Sequence, residues 1–192
     1  DCEFVGSILD NTVGKQGIMS YVFGLHLLSC GATSQAVTAD GAIGELLSLQ
    51  LSDGGWAISG NISDVDVTAM TLQALAPYYN ARDDVKSATD KAVALLSEKQ
   101  SDDGGFKSYG TENPESAAQV IIALSSLGIN AATEPRFVKS GNTVLSAMLK
   151  YLRDDGSFCH TENGEPNFAA TVQALMSLVA MRRAMSGDTS LF

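Results

Sequence analysis

The chain has 192 residues, 45% hydrophobic and 18% charged, with a formal net charge of −10, a composition that fits a water-soluble unit with a real core. So acidic a surface repels phosphate backbones and anionic membranes, which argues against nucleic acid as a partner. No stretch reaches the roughly 18 apolar residues needed for a transmembrane segment.

Taken in chain order, the sequence opens Asp-Cys-Glu rather than Met. We expect a processed or trimmed piece of a longer protein, and no secretion signal is visible. Cys2, Cys30 and Cys159 are far apart. Their odd number argues against a complete disulfide framework, though one pair remains open. Lys15 to Cys30 reads as an apolar helix containing His26, a core or lining histidine, with Gly31 placed as its C-cap residue. A second helix is expected from about Thr38 to Gln50.

The stretch "LQLSDGGW" follows, then an apolar helix over 66–79 in which Val67, Ala69, Met70, Leu72, Ala74, Leu75 and Ala76 leave almost no polar face. Such a helix must be covered on most sides. Residues 82–100 differ, since Val85, Ala88, Ala92, Leu95 and Leu96 form one stripe, as in a helix with one wet face. "KQSDDGGF" then repeats the loop, "AAQVIIALSSLG" repeats the apolar helix with Gly128 at its C-cap, and 136–152 reads as another mixed helix. "LRDDGSF" and an apolar helix over 167–181 complete the series.

Aligning Trp56, Phe106 and Phe158 gives steps of 50 and 52 residues, a period that signals stacked supersecondary units. The chain therefore reads as all-α, one repeat domain over 1–192 with units near 15–50, 51–100, 101–152 and 153–185. Amphipathic outer helices alternate with apolar inner ones in a two-layer array of hairpins. About four inner and three outer helices are too few for a closed ring, so an open arc, a fragment or an assembly completed by another chain is expected. In the loops, Asp turns the chain, Gly supplies positive φ and the aromatic plugs the seam between hairpins. Calcium binding by the "SDDGG" acids is the weaker alternative, because each loop offers few oxygens.

These loops resemble the QxxDGGW motif of prenyltransferase and squalene-cyclase repeats. The residues that carry the resemblance are Gln50, Asp53, Gly54, Gly55 and Trp56, then Gln100, Asp103, Gly104, Gly105 and Phe106. In the third copy, Asp155, Gly156 and Phe158 remain, while the Gln and the second Gly are lost. The resemblance implies an α/α-toroid, whose known members include terpene cyclases, protein prenyltransferases, thioester domains and cobalamin carriers. Residues 64–100 also resemble repeats of secreted surface proteins of Gram-positive bacteria, which implies an extracellular or cell-surface location. The run at 66–70 is similar to inner-helix sequence of cobalamin carriers, which makes cobalamin a conceivable ligand; no other cofactor is implied.

"DVDVTA" at 64–69 is similar to the DxDDTA motif of squalene-hopene-type cyclases, and carries the role of general acid onto Asp66. Val67 stands where that motif has a third acid, and helix-start amides favour the ionised form of an aspartate. Simple N-capping by Asp64 or Asp66 is the plainer expectation. Zinc of the prenyltransferase kind would fall on Asp155, Cys159 and His160, but adjacent Cys and His rarely reach one metal, and no metal is expected. The Cys-Gly-Glu-Gln run of a thioester domain is absent. Glycoside cleavage would need Asp66 and Glu115 to face each other across a groove.

The expectation that remains is a noncatalytic binding or interaction module. Its rim at the inner-helix N-termini comprises Asp64, Asp66, Thr68, Glu115, Gln119, His160, Glu165 and Asn167, with Met70, Gln73 and Gln173 among the lining residues. A small molecule, peptide, glycan or flanking domain is the expected partner, and a cyclase using Asp66 is the main enzymatic alternative.

Overall fold

The computed structural model describes residues 2–108 and 110–191, in two compact units that divide between Ala92 and Val93. The first holds α1 (Cys2–Thr12), α2 (Ile18–Ser29), α3 (Ala39–Ser48) and α4 (Val65–Leu75), and α5 (Asp83–Lys99) runs across the division. The second holds α6 (Pro114–Ser126), α7 (Val144–Leu149) and α8 (Phe168–Ser186). It also holds two small ribbons, β1 (Lys107–Ser108) with β2 (Thr111–Glu112), and β3 (Val138–Lys139) with β4 (Asn142–Thr143), both antiparallel. No described helix is long and apolar enough to cross a membrane.

In the first unit α2 packs against α3 and α4, and in the second α6 packs against α7 and α8. The expected character of each helix holds for α4, where nine residues from Val65 to Leu75 are buried, and for α6, where ten are. The stripe of α5 is also as expected, with Val85, Ala88, Ala92, Leu95 and Leu96 all buried. Gly31 and Gly128 both sit at positive φ just after a helix. Ala32 N–H reaches Leu27 O and Ile129 N–H reaches Leu124 O, the long bond of a Schellman ending.

Three expectations are corrected. The mixed helix over 136–152 is only α7. Pro135 opens a 3₁₀ turn, and Ser140 and Gly141 both take positive φ, the conformation that closes the two-residue hairpin between β3 and β4. The helix restarts only at Thr143, whose hydroxyl and Ser146 form a reciprocal capping box. Second, α1 was not expected; its Leu9 meets α2 at Gly24, where an added Cβ would lie 3.7 Å from Leu9 Cδ2. Third, α8 is not covered on all sides, since Phe168, Val172, Leu175 and Val179 are exposed.

The repeated loops fold alike. Leu51 N–H bonds Gly55 O and Gly54 N–H bonds Leu51 O. Ser101 with Gly105 and Gly104 repeats the pair, as does Arg153 with Ser157 and Gly156. The third loop thus keeps its backbone tie despite losing the second glycine. Gln50 Nε2 donates to Gly54 O at 2.8 Å and to Ala88 O at 2.9 Å, binding its loop to α5. Gln100 does the same to Gly104 O and Phe137 O, both at 3.0 Å. Trp56, Phe106 and Phe158 are buried below the loops, and Trp56 Nε1 donates to Leu46 O at 2.7 Å. Apolar burial with the indole hydrogen satisfied is what lets an aromatic fill such a seam.

Candidate functional site

Each loop delivers the chain to the start of an apolar helix, and a short polar side chain starts that helix. Asp64 accepts from Val67 N–H at 3.0 Å, Asn113 from Ser116 N–H at 2.8 Å and Asn167 from Ala170 N–H at 2.9 Å. Of the two aspartates at 64 and 66, Asp64 is therefore the cap, and Asp66 lies in the first turn of α4. Asn113 was missed by sequence reasoning. Its signal was the following Pro-Glu, because proline at the first helical position is pre-set for the helix.

The second unit brings together four of the residues expected at the rim or lining. His160 Nδ1 and Glu115 Oε1 are 2.9 Å apart, although 45 residues separate them in the chain. One turn along α6 from Glu115, Gln119 Nε2 donates to Gln173 Oε1 on α8 at 2.9 Å. Glu115 is mostly buried and His160 is half exposed. The other oxygen, Glu115 Oε2, is shielded from water and meets no donor.

Other expected rim residues serve the fold instead. Thr68 is fully buried, and its hydroxyl accepts from Trp56 N–H at 3.0 Å. Asn167 caps α8, while Glu165 is exposed. In the first unit, Asp66 and Met70 are half-buried and Gln73 is buried. Asp155, Cys159 and His160 diverge: Asp155 accepts from Ser157, Cys159 Sγ lies buried against Tyr151 O, and His160 meets Glu115. Among the described residues no group of three His, Cys, Asp or Glu is arranged to hold a metal ion. Cys30 and Cys159 are free thiols, and the side chain of Cys2 lies outside the described ones.

A second polar cluster lies beneath the second loop. Asp103 accepts from Gly105 N–H at 3.1 Å and from Lys150 Nζ at 2.8 Å, and it also meets Glu112. In the first loop the same aspartate position, Asp53, is satisfied by the hydroxyl of Ser63 at 2.6 Å. Glu112 occupies the place of Ser63, one residue before the cap, so a carboxyl stands where the earlier repeat has a neutral donor. Burial, then the hydrogen bond to and charge of Asp103, push Glu112 above its usual value. Burial works against ionisation of Asp103 too, but Lys150, the Gly105 amide and Glu112 together hold its pKa down. Glu112 therefore keeps its proton more readily and donates it towards Asp103. Tyr151 nearby is pushed up to about 12, first by burial and then by the charge of Glu112 and other acids.

The prenyltransferase alpha-alpha toroid domain model matches residues 14–190. The chain belongs to that toroid family. No curated protein matches the chain. Membership accounts for the alternation of buried and half-exposed helices and for the recurring glycine loops. It does not select an activity, because function on a shared fold resides in the particular side chains of the site. In the second unit the side chains that pair at the starts of the apolar helices are Glu115 with His160 and Gln119 with Gln173.

Proposed function

We propose that this toroid domain is a noncatalytic binding module, and that a neutral ligand rich in O–H or N–H donors docks at Glu115, Gln119, His160 and Gln173. One observation carries the reading: the half-exposed His160 meets the mostly buried Glu115 at 2.9 Å, one turn from the Gln119–Gln173 bond. A ligand hydroxyl or amide that displaces His160 would donate to the Glu115 carboxylate, and a hydrogen bond to a charged group is worth about 1.5–3 kcal/mol. The two glutamine amides beside it hydrogen-bond to uncharged polar groups, which suits a glycan or a peptide. The net charge of −10 disfavours anionic ligands. An extracellular or cell-surface setting belongs to the same proposal and is supported by the resemblance of residues 64–100 to repeats of secreted surface proteins.

The test is a calorimetric titration of the domain with neutral disaccharides, short peptides and cobalamin. Binding of a disaccharide or peptide that weakens at least about tenfold in Glu115→Ala, the size expected for losing a hydrogen bond to a charged group, supports the proposal. Absence of any binding at millimolar ligand, or binding indifferent to Glu115→Ala and Gln119→Ala, overturns it. Binding of cobalamin alone replaces it with the carrier reading.

A further inference from the structure

The exposed face of α8 has counterparts that are buried in the earlier repeats. Counted from each cap, Leu175 falls at the position of Leu72 in α4 and Ile121 in α6. Leu175 is 52% exposed, whereas Leu72 and Ile121 are 0% exposed. Phe168, at the position of Val65 and Pro114, is 86% exposed. Val172 and Val179 complete the stripe, and their counterparts in α6, Ala118 and Ser125, are buried. On α6 this side turns towards α8, since Ser125 lines the same cleft as Ala180.

The side chains differ as well as their exposure. Small residues at 118 and 125 let α6 approach its neighbour closely. Valines at 172 and 179 hold a mate farther away, so this face is not a copy of the α6–α8 joint. Phe168, Val172, Leu175 and Val179 are instead spaced four, three and four residues apart, the spacing of a coiled-coil seam. The next residue in that series is the exposed Arg182, and the exposed Glu165 lies just before the helix. Helix α8 contains no acidic residue, so the seam itself escapes the repulsion implied by the chain's net charge.

We propose that α8 is the dimerisation surface of this domain, packed antiparallel on α8 of a second copy about a two-fold axis near Leu175. Antiparallel packing sets Arg182 of each copy beside Phe168 and Glu165 of the other, so a cation meets both an aromatic face and a carboxylate at each end. The face is self-complementary, as a two-fold interface requires. Over about 21 Å of helix, at 1.5 Å per residue, the seam is closed by apolar side chains at its centre and by charge at its ends.

Sedimentation equilibrium of the whole chain from micromolar to submillimolar concentration tests this. Reversible association to twice the 20.1 kDa chain mass is expected. Leu175→Glu should weaken it about 30-fold or more, as for a central interface residue, while leaving the thermal melt of the monomer unchanged. In a Cys2→Ser, Cys30→Ser background, Phe168→Cys and Arg182→Cys proteins should form a mixed disulfide when oxidised together. A monomer at all concentrations, open-ended association, a dimer indifferent to Leu175→Glu, or a disulfide of Phe168→Cys with itself would each overturn the proposal.

Discussion

The amide of Trp56 donates to the hydroxyl of Thr68 at 3.0 Å, and the same bond recurs between Phe158 and Thr171 at 2.9 Å. A threonine one turn into the helix thus holds the backbone of the aromatic that plugs the seam. Ala117 takes the corresponding position in α6, so the device belongs to two of the three loops. Replacing Thr68 with valine keeps the shape and removes the acceptor. The buried Trp56 N–H then loses its partner, at a cost of about 1–3 kcal/mol. Urea unfolding of Thr68→Val should show that loss, and a smaller one for Thr171→Val, whose bond is only part-buried.

The loop glycines should not be equivalent. Gly104 has φ +89°, and an added Cβ would stand 2.5 Å from Thr143 O. Gly156 has φ +84° with open space around it. Gly156→Ala pays only for the left-handed backbone, about 1–2 kcal/mol. Gly104→Ala pays that and a steric cost of about 1–3 kcal/mol. Thermal melts of the two variants should separate in that order; equal losses would show that the approach of Thr143 is not what demands glycine.

The Asp103–Glu112 pair predicts a pH dependence of stability. The raised carboxyl of Glu112 binds its proton more tightly in the folded state, so its contribution is present at low pH and is lost as pH rises from its ordinary 4.5 through the raised value. Asp103, held low, acts oppositely and loses its contribution as pH falls below 3.8 towards its folded value. Glu112→Gln supplies a permanent N–H to Asp103. Its urea midpoint relative to wild type should therefore improve between about pH 4 and neutrality. No change across that range would remove the shared proton from the account.

Thiol reactivity should divide the cysteines. Cys30 is exposed, whereas Cys159 is 2% exposed with Sγ 3.3 Å from Tyr151 O. In Cys2→Ser protein, a chromogenic disulfide reagent should titrate one thiol under native conditions and a second only in denaturant. Immediate reaction of both would mean that the third loop opens readily.

The sequence disclosed the loops because each residue there meets a local need: Gly54 and Gly104 their positive φ, the aromatics their seam, Gln50 and Gln100 their backbone carbonyls. Helices α4, α5 and α6 were legible from periodicity for the same reason. Helix α7 was overextended because the apolar spacing outweighed the Lys-Ser-Gly-Asn turn that bends the chain at Ser140 and Gly141. The exposure of α8 was hidden, since an apolar helix looks alike in sequence whether one side or both are covered. Glu115, Gln119, His160 and Gln173 were named individually, but their pairing was not legible. It depends on where the third loop lays His160, a tertiary fact that no spacing encodes.

The paired bonds of Gln50 and Gln100 bear on how the domain comes apart. Each glutamine spans its own loop and the following outer element, so opening that loop also strips a donor from the next repeat. Leu152, 47% exposed, takes the corresponding place in the third loop, and its side chain cannot donate to a following element. Neighbour coupling of this kind makes repeats exchange amide protons in concert where the clamp exists and separately where it does not. Opening of the loop from Arg153 to Ser157 is thus not passed on through such a clamp, whereas the glutamines stitch each of the first two loops to the element that follows.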